Sequence, residues 1–261
     1  MDGLDWNAAL AALAWQVDLG ATEAILDAPV NRYELGDAQP VPKAAAVAAV
    51  AATAALDPVA AADPVEEARR AAAAAPTLEA LREAMAAYDH CDLKRGARNT
   101  VFCDGNPAAR LMLIGEAPGR EEDAAGRPFV GRAGQLLDRM FAAIGLARTS
   151  PDPAGALYIT NVMPWRPPQN RDPSAEEVAM MTPFLARHVE LAAPDLIVVT
   201  GNTACAALLG RTGITRLRGR WAEAWGRPVM PMCHPAYLLR NPEAKREAWA
   251  DLLEVKARLA R

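Results

Sequence analysis

The chain has 261 residues, a formal net charge of −4, 52% apolar and 23% charged side chains. These proportions exclude a collagen, a disulfide scaffold and a strongly charged disordered chain, and leave an ordinary globular protein. No stretch is long and apolar enough to span a bilayer, and Met1-Asp2-Gly3-Leu4-Asp5 is acidic where a secretory leader is basic, so a reducing cytoplasm is expected and no membrane is involved. Charge is unevenly spread. Residues 1–76 carry 4 basic and 11 acidic side chains, and residues 77–261 carry 24 and 21. The acidic total hides a mildly basic body, whose meaning for nucleic acid depends on whether the arginines cluster.

In chain order, residues 5–19 place Trp6, Leu10, Leu13 and Val17 at helical spacing, which predicts one amphipathic helix. That helix either docks a partner protein or packs back on the body. Residues 37–63 are dominated by Ala, Pro and Val, too small to build a core, and read as a linker. The expected division is an Ala-rich helical appendage over 1–76 and a catalytic body over 77–261. Apolar runs at 111–114, 157–162 and 196–200 predict strands, and the intervals at 134–144, 174–191, 203–209 and 242–259 predict helices. Such alternation indicates an α/β fold with a mainly parallel sheet covered on both faces, whose ligands sit beyond the carboxyl ends of the strands.

Unusual residues follow those strands. The first is followed by Gly115-Glu116-Ala117-Pro118-Gly119 and then by Arg127-Pro128-Phe129-Val130-Gly131-Arg132-Ala133-Gly134. This is neither GxGxxG, a P-loop nor GxSxG. It is a tight loop with the carboxylates of Glu116, Glu121 and Glu122 and one aromatic ring, Phe129, which serves either a ligand or the core. After the second strand, Asn161 offers the adjacent donor and acceptor that read an amide edge, and asparagine serves turn chemistry as well. Pro164, Pro167, Pro168 and Pro173 stiffen the loop around Asn170. Further on, Cys233-His234-Pro235-Ala236-Tyr237-Leu238-Leu239-Arg240 sets a histidine ahead of an apolar pair and an arginine.

Together, G-E-A-P-G-x-x-E-D-x-x-G-x-P-F-V-G-x-A-G-Q-L-L, N-V-x-x-x-R-P-P-x-N-R-x-P and H-P-x-Y-L-L-R, in this order and at these separations, resemble the family four uracil-DNA glycosylases over residues 88–255. The resemblance implies a three-layer α/β/α sandwich on a short, mainly parallel sheet. It also implies monofunctional hydrolysis of the N-glycosidic bond of deoxyuridine in DNA during base-excision repair. By that resemblance Glu116 lies near the attacking water and sugar, Phe129 stacks on uracil, Asn161 reads its edge and His234 sits near a uracil oxygen. Glu122 and Asn170 match further site positions, and Ala117 or a neighbour in its loop would exclude thymine. A flipping enzyme also needs something to fill the vacated stack, for which Leu238, Leu239 and Arg240 form the candidate wedge. Arg132, Arg166, Arg216, Arg218 and Arg220 are the candidate phosphate contacts.

Many members of that family hold an iron–sulfur cluster on four cysteines, and here only Cys91 stands at such a position. Tyr88, Trp165 and Met181 occupy the other three. One thiolate cannot hold a cluster, so no cofactor is expected, and Trp165 with Met181 would fill the space by packing. Cys103, Cys205 and Cys233 do not recreate ligand spacing. Two other readings stay open: a non-catalytic DNA-binding adaptor on the same fold, and a glycosylase for another deaminated base. A monomer is expected.

Overall fold

The computed structural model of the chain describes residues 63–260. The helix expected over 5–19, and all but the last residue of the segment over 37–63, lie outside the described residues. Among the described residues the strands are β1 (Cys103–Gly105), β2 (Leu111–Gly115), β3 (Leu157–Asn161), β4 (Leu196–Thr200), β5 (Ala222–Ala224) and β6 (Arg227–Met232). The helices are α1 (Pro64–Ala74), α2 (Leu78–Ala87), α3 (Leu93–Gly96), α4 (Arg120–Ala125), α5 (Arg132–Ala142), α6 (Ala175–Ala192), α7 (Asn202–Leu209), α8 (Ile214–Leu217), α9 (Pro235–Arg240) and α10 (Lys245–Leu259).

The strands form one sheet in the order β1-β3-β2-β4-β6-β5. The inner four pair parallel, and the short outer two run antiparallel to their neighbours. Every residue of β2, β3 and β4 is buried, as expected of strands covered on both faces. Alternation along the strands sends Met112, Ile114, Ile197 and Val199 into one core and Leu111, Leu113, Leu196 and Val198 into another. Helices α1, α2, α6 and α7 close the first core with residues such as Leu81, Phe184 and Cys205. Helices α5 and α10 close the second with Leu137, Phe141, Leu252 and Val255. The result is the expected α/β/α sandwich on a mainly parallel sheet.

The body begins earlier than residue 77. Asp63 caps α1 by accepting from the Val65 amide, and Pro64 occupies the first turn, where its missing N–H costs nothing. Ala68, Ala72 and Ala75 are buried in the first core. The Tyr88 hydroxyl donates to the Pro64 carbonyl at 2.8 Å, and Arg187 on α6 donates twice to the Ala75 carbonyl, at 3.0 and 2.8 Å. A boundary at 76/77 would cut through these contacts. The expected division is therefore corrected: small side chains let α1 lie close against its neighbours instead of marking it as linker.

Ala68 is fully buried, so a carboxylate placed there lacks both water and a partner, at a cost of about 3 kcal/mol or more. Ala68→Asp in the full chain lowers Tm by roughly 6–12 °C, whereas Arg70→Ala on the exposed side changes it by about 2 °C or less. Equal melting of Ala68→Asp and the unsubstituted chain would place α1 outside the body.

Candidate active site

The carboxyl ends of β2, β3, β4 and β6 deliver Gly115, Asn161, Thr200-Gly201 and Cys233-His234 to one rim of the sheet. A cleft of about 460 Å³ opens there, lined by Glu116, Phe129, Asn161, Asn170, His234 and Arg240 among others. The three sequence segments that carried the resemblance thus meet in one place.

Gly115 and Asn161 are direct partners in the β2–β3 ladder. A side chain on Gly115 would collide with Asn161 Oδ1 and would come within 2.6 Å of the Phe129 ring. Glycine is therefore what allows a polar reader and an aromatic ring to share one wall. Phe129 has φ 54, a left-handed backbone that non-glycine residues rarely adopt. Gly134 leaves the room that this backbone needs, since a Cβ there would overlap the Phe129 carbonyl. The ring is 6% exposed and stacks beside His234, with centroids 5.4 Å apart and planes inclined by 30°. Asn161 Oδ1 is buried and has no hydrogen-bond partner among the described residues. An orphaned acceptor of this kind costs about 1–3 kcal/mol unless a ligand supplies the donor.

His234 caps α9: its Nδ1 accepts from the Ala236 amide at 3.1 Å. That bond assigns the proton of the neutral ring to Nε2, leaving an N–H donor for the cleft. Burial, aided by the nearby Arg240 cation and opposed by Glu122, pushes the imidazole pKa down to about 4. Glu116 lines the same cleft, and its Oε2 accepts from the Thr203 hydroxyl at 2.7 Å. Burial pushes the Glu116 carboxyl above the usual range, the Thr203 bond draws it back, and the Asp172 charge adds a further upward push.

The remaining expected site residues divide. Ala117 lines the cleft. Glu122 lines it too, but its oxygens are taken by backbone: the Gly119 amide at 3.1 Å, and the Val130 and Gly131 amides at 2.9 Å each. It ties the Glu116 loop to the Phe129 loop. Asn170, with φ 53, accepts from Arg166 Nε at 2.7 Å, so Arg166 braces the loop. Arg132, Arg216, Arg220 and Arg240 are exposed, and no ion pair engages them among the described residues.

Two expectations are corrected. Leu238 is fully buried against Leu136, Cys233 and Ala248, so it cannot enter a base stack; Leu239 is half-buried, and Tyr237 lines the cleft in its place. Arg218 is held by the buried carboxylate of Asp251 and by Glu247, so its charge is already paired. Thr203, Arg148 and Tyr237 were not foreseen. Thr203 follows the end of β4 and could have been found by inspecting that strand end as the others were; Arg148 lies in a loop with no local signal.

At the four positions that the resemblance assigns to cluster ligands, Tyr88, Cys91, Trp165 and Met181 are all buried in the first core. The Tyr88 hydroxyl is used by Pro64, and the Trp165 indole N–H donates to Thr100 Oγ1 at 3.1 Å. Burial pushes the Cys91 thiol up, against thiolate formation. Among the described residues no group of three or more His, Cys, Asp or Glu is arranged to hold a metal. These residues do not fit an iron–sulfur cluster.

Because the folded His234 pKa lies below the unfolded value of about 6.5, its contribution to stability is complete above that value and is lost as pH falls toward about 4. In an NMR titration its ring resonances move with a midpoint near 4. A midpoint at about 6.5 would show a ring open to water.

The chain matches the profile of the Uracil DNA glycosylase superfamily over residues 102–253. It is similar to a type-4 uracil-DNA glycosylase of Archaeoglobus fulgidus, 40% identical over 174 residues that cover 63% of this chain and 84% of that protein. A type-4 uracil-DNA glycosylase of Thermotoga maritima is 38% identical over 186 residues, covering 69% of this chain and 93% of its own length. A type-5 uracil-DNA glycosylase of Pyrobaculum aerophilum is 31% identical over 170 residues, 60% of this chain and 73% of that protein. The profile match runs from the start of the sheet into α10 and takes in the whole cleft, and the chain belongs to the uracil-DNA glycosylase superfamily.

Proposed function

We propose that this chain is a monofunctional uracil-DNA glycosylase of base-excision repair, which hydrolyses the N-glycosidic bond of deoxyuridine and leaves an abasic site. The observation that carries the reading is the buried Oδ1 of Asn161, beside the Phe129 ring and without a partner among the described residues. An extruded uracil supplies what is missing there: an N3–H for Oδ1 and a flat face for the ring. The Asn161 amide donates to O4 in the same plane, whereas cytosine presents the reverse pattern and leaves both groups mispaired. Ala117, which lines the cleft, or a neighbour in its loop crowds a 5-methyl group and so excludes thymine.

As the C1′–N1 bond breaks, the sugar becomes cationic and the pair of bonding electrons leaves with the base. His234 Nε2–H donates to the uracil oxygen on which that charge grows, and its neutrality matters because the ring then enters the reaction without a desolvated charge of its own. The Glu116 carboxylate orients the water that attacks C1′ and stabilises the cation opposite; Thr203 holds one of its oxygens and leaves the other for that water. Arg132, Arg216 and Arg220 neutralise phosphates, and Tyr237, Leu239 and Arg240 occupy the place that the base vacates. The packing of Trp165, Met181 and Tyr88 fills the positions that the resemblance assigns to cluster ligands, and on this reading the enzyme works without a cluster. Every group named comes from one chain, so a monomer suffices, and the four free cysteines suit a reducing cytoplasm.

The test is release of uracil by the full chain from a labelled duplex with one deoxyuridine, beside a hypoxanthine duplex and a metal analysis of the same protein. Uracil release by iron-free protein is expected. His234→Ala lowers the single-turnover rate on the order of a hundredfold while affinity for an abasic duplex is retained. No uracil release would refute the reading, preference for hypoxanthine would change the substrate, and stoichiometric iron would refute the cluster-free assignment.

A further inference from the structure

We infer that Arg148 is a positioning residue for the aromatic platform: it locks the backbone of Phe129 and so sets the plane against which the target base is held. The inference rests on the reading of Phe129 as that platform. Arg148 lies between α5 and β3, outside the cleft, with its side chain 12% exposed. Its guanidinium makes four hydrogen bonds. Nη2 donates to the Phe129 carbonyl at 3.0 Å, Nη1 donates to the Pro128 carbonyl and to Asp104 Oδ2 at 2.9 Å each, and Nε donates to Asp138 Oδ1 at 2.8 Å.

These partners explain what the arrangement does. Asp104 sits on β1, paired in register with Ile159 of β3, and Asp138 sits on α5. Both are anchored on regular structure, so the guanidinium is fixed from behind, and its remaining donors hold two successive carbonyls of the Phe129 loop. A left-handed phenylalanine does not persist unless its surroundings hold it. With carbonyls 128 and 129 turned toward Arg148, the ring is turned into the cleft, over Gly115 and beside His234. The planar fork of arginine suits four divergent acceptors, whereas a lysine ammonium is a point charge that cannot span them. Asp104 and Asp138 both pair with the guanidinium, and Arg127 stands 4.0 Å from the same Asp104 oxygen, so the loop carbonyls receive a donor whose charge is already paired.

The experiment is a double-mutant cycle on the full chain with Arg148→Lys and Phe129→Ala. It reads inhibition by free uracil in a single-turnover assay, affinity for an abasic duplex, and Tm. Arg148→Lys keeps a cation between Asp104 and Asp138, so the chain folds. Its uracil inhibition constant rises about tenfold, within the range that base–aromatic stacking supplies, and abasic-duplex affinity stays within about twofold. In the Phe129→Ala background the same substitution adds less than about twofold, because the platform it acts through is gone. A merely structural role would lower Tm and shift both backgrounds equally, and that result, or an unchanged inhibition constant, overturns the inference. Should Arg148→Lys not fold, Asp138→Ala loosens the same clamp from the surface and is read with the same expected and contrary outcomes. An unsubstituted chain that neither releases uracil nor is inhibited by it refutes the functional reading itself, whereas an active chain with no effect at Arg148 refutes this inference alone.

Discussion

The site depends on the absence of a side chain at Gly115. Two parallel strands end together there, and the missing Cβ is what lets the Phe129 ring and the Asn161 amide close on the same space. The surrounding devices maintain that approach. Glu122 bridges the loops that carry Glu116 and Phe129, Gly134 admits the left-handed backbone of Phe129, and Arg148 holds that backbone from behind. The platform is rigid because sheet, helix and loop all constrain it, a precision that loops alone do not supply.

Burial favours the neutral form of both His234 and Glu116. It pushes the His234 imidazole down, which leaves an Nε2–H donor ready at neutral pH. It pushes the Glu116 carboxyl up, but there the Thr203 hydroxyl favours the carboxylate and limits the shift. In the proposed reaction the imidazole donor serves the departing base and the hydroxyl-supported carboxyl group serves the sugar, matching the charges that develop when a glycosidic bond breaks. Away from the cleft, the first core shows the same economy: Trp165, Met181 and Tyr88 fill space with apolar surface and satisfy their polar atoms on Thr100 and Pro64.

Much of this was legible in the sequence, for identifiable reasons. The strands at 111–115, 157–161 and 196–200 are continuous apolar runs, and Glu116, Asn161 and His234 follow strand ends, where α/β folds place chemistry. Strand β6 was hidden because Pro228 and Pro231 read as breakers, although the strand is central. Helix α1 was hidden because alanine signals neither a core nor its absence. Leu238 and Arg218 were misplaced because burial and pairing with Asp251 depend on elements distant in the chain. Arg148 lay beyond sequence reasoning for the same reason, since two of its partners are 44 and 20 residues away.

If the Gly115 gap makes the base pocket, Gly115→Ala closes it. Single-turnover uracil release by this variant is compared with its affinity for an abasic duplex, which needs the DNA surface and no base. Uracil release is expected to fall on the order of a hundredfold, as the ring and the amide are forced apart, while abasic-duplex affinity is kept. Release at the unsubstituted rate would contradict this role of Gly115.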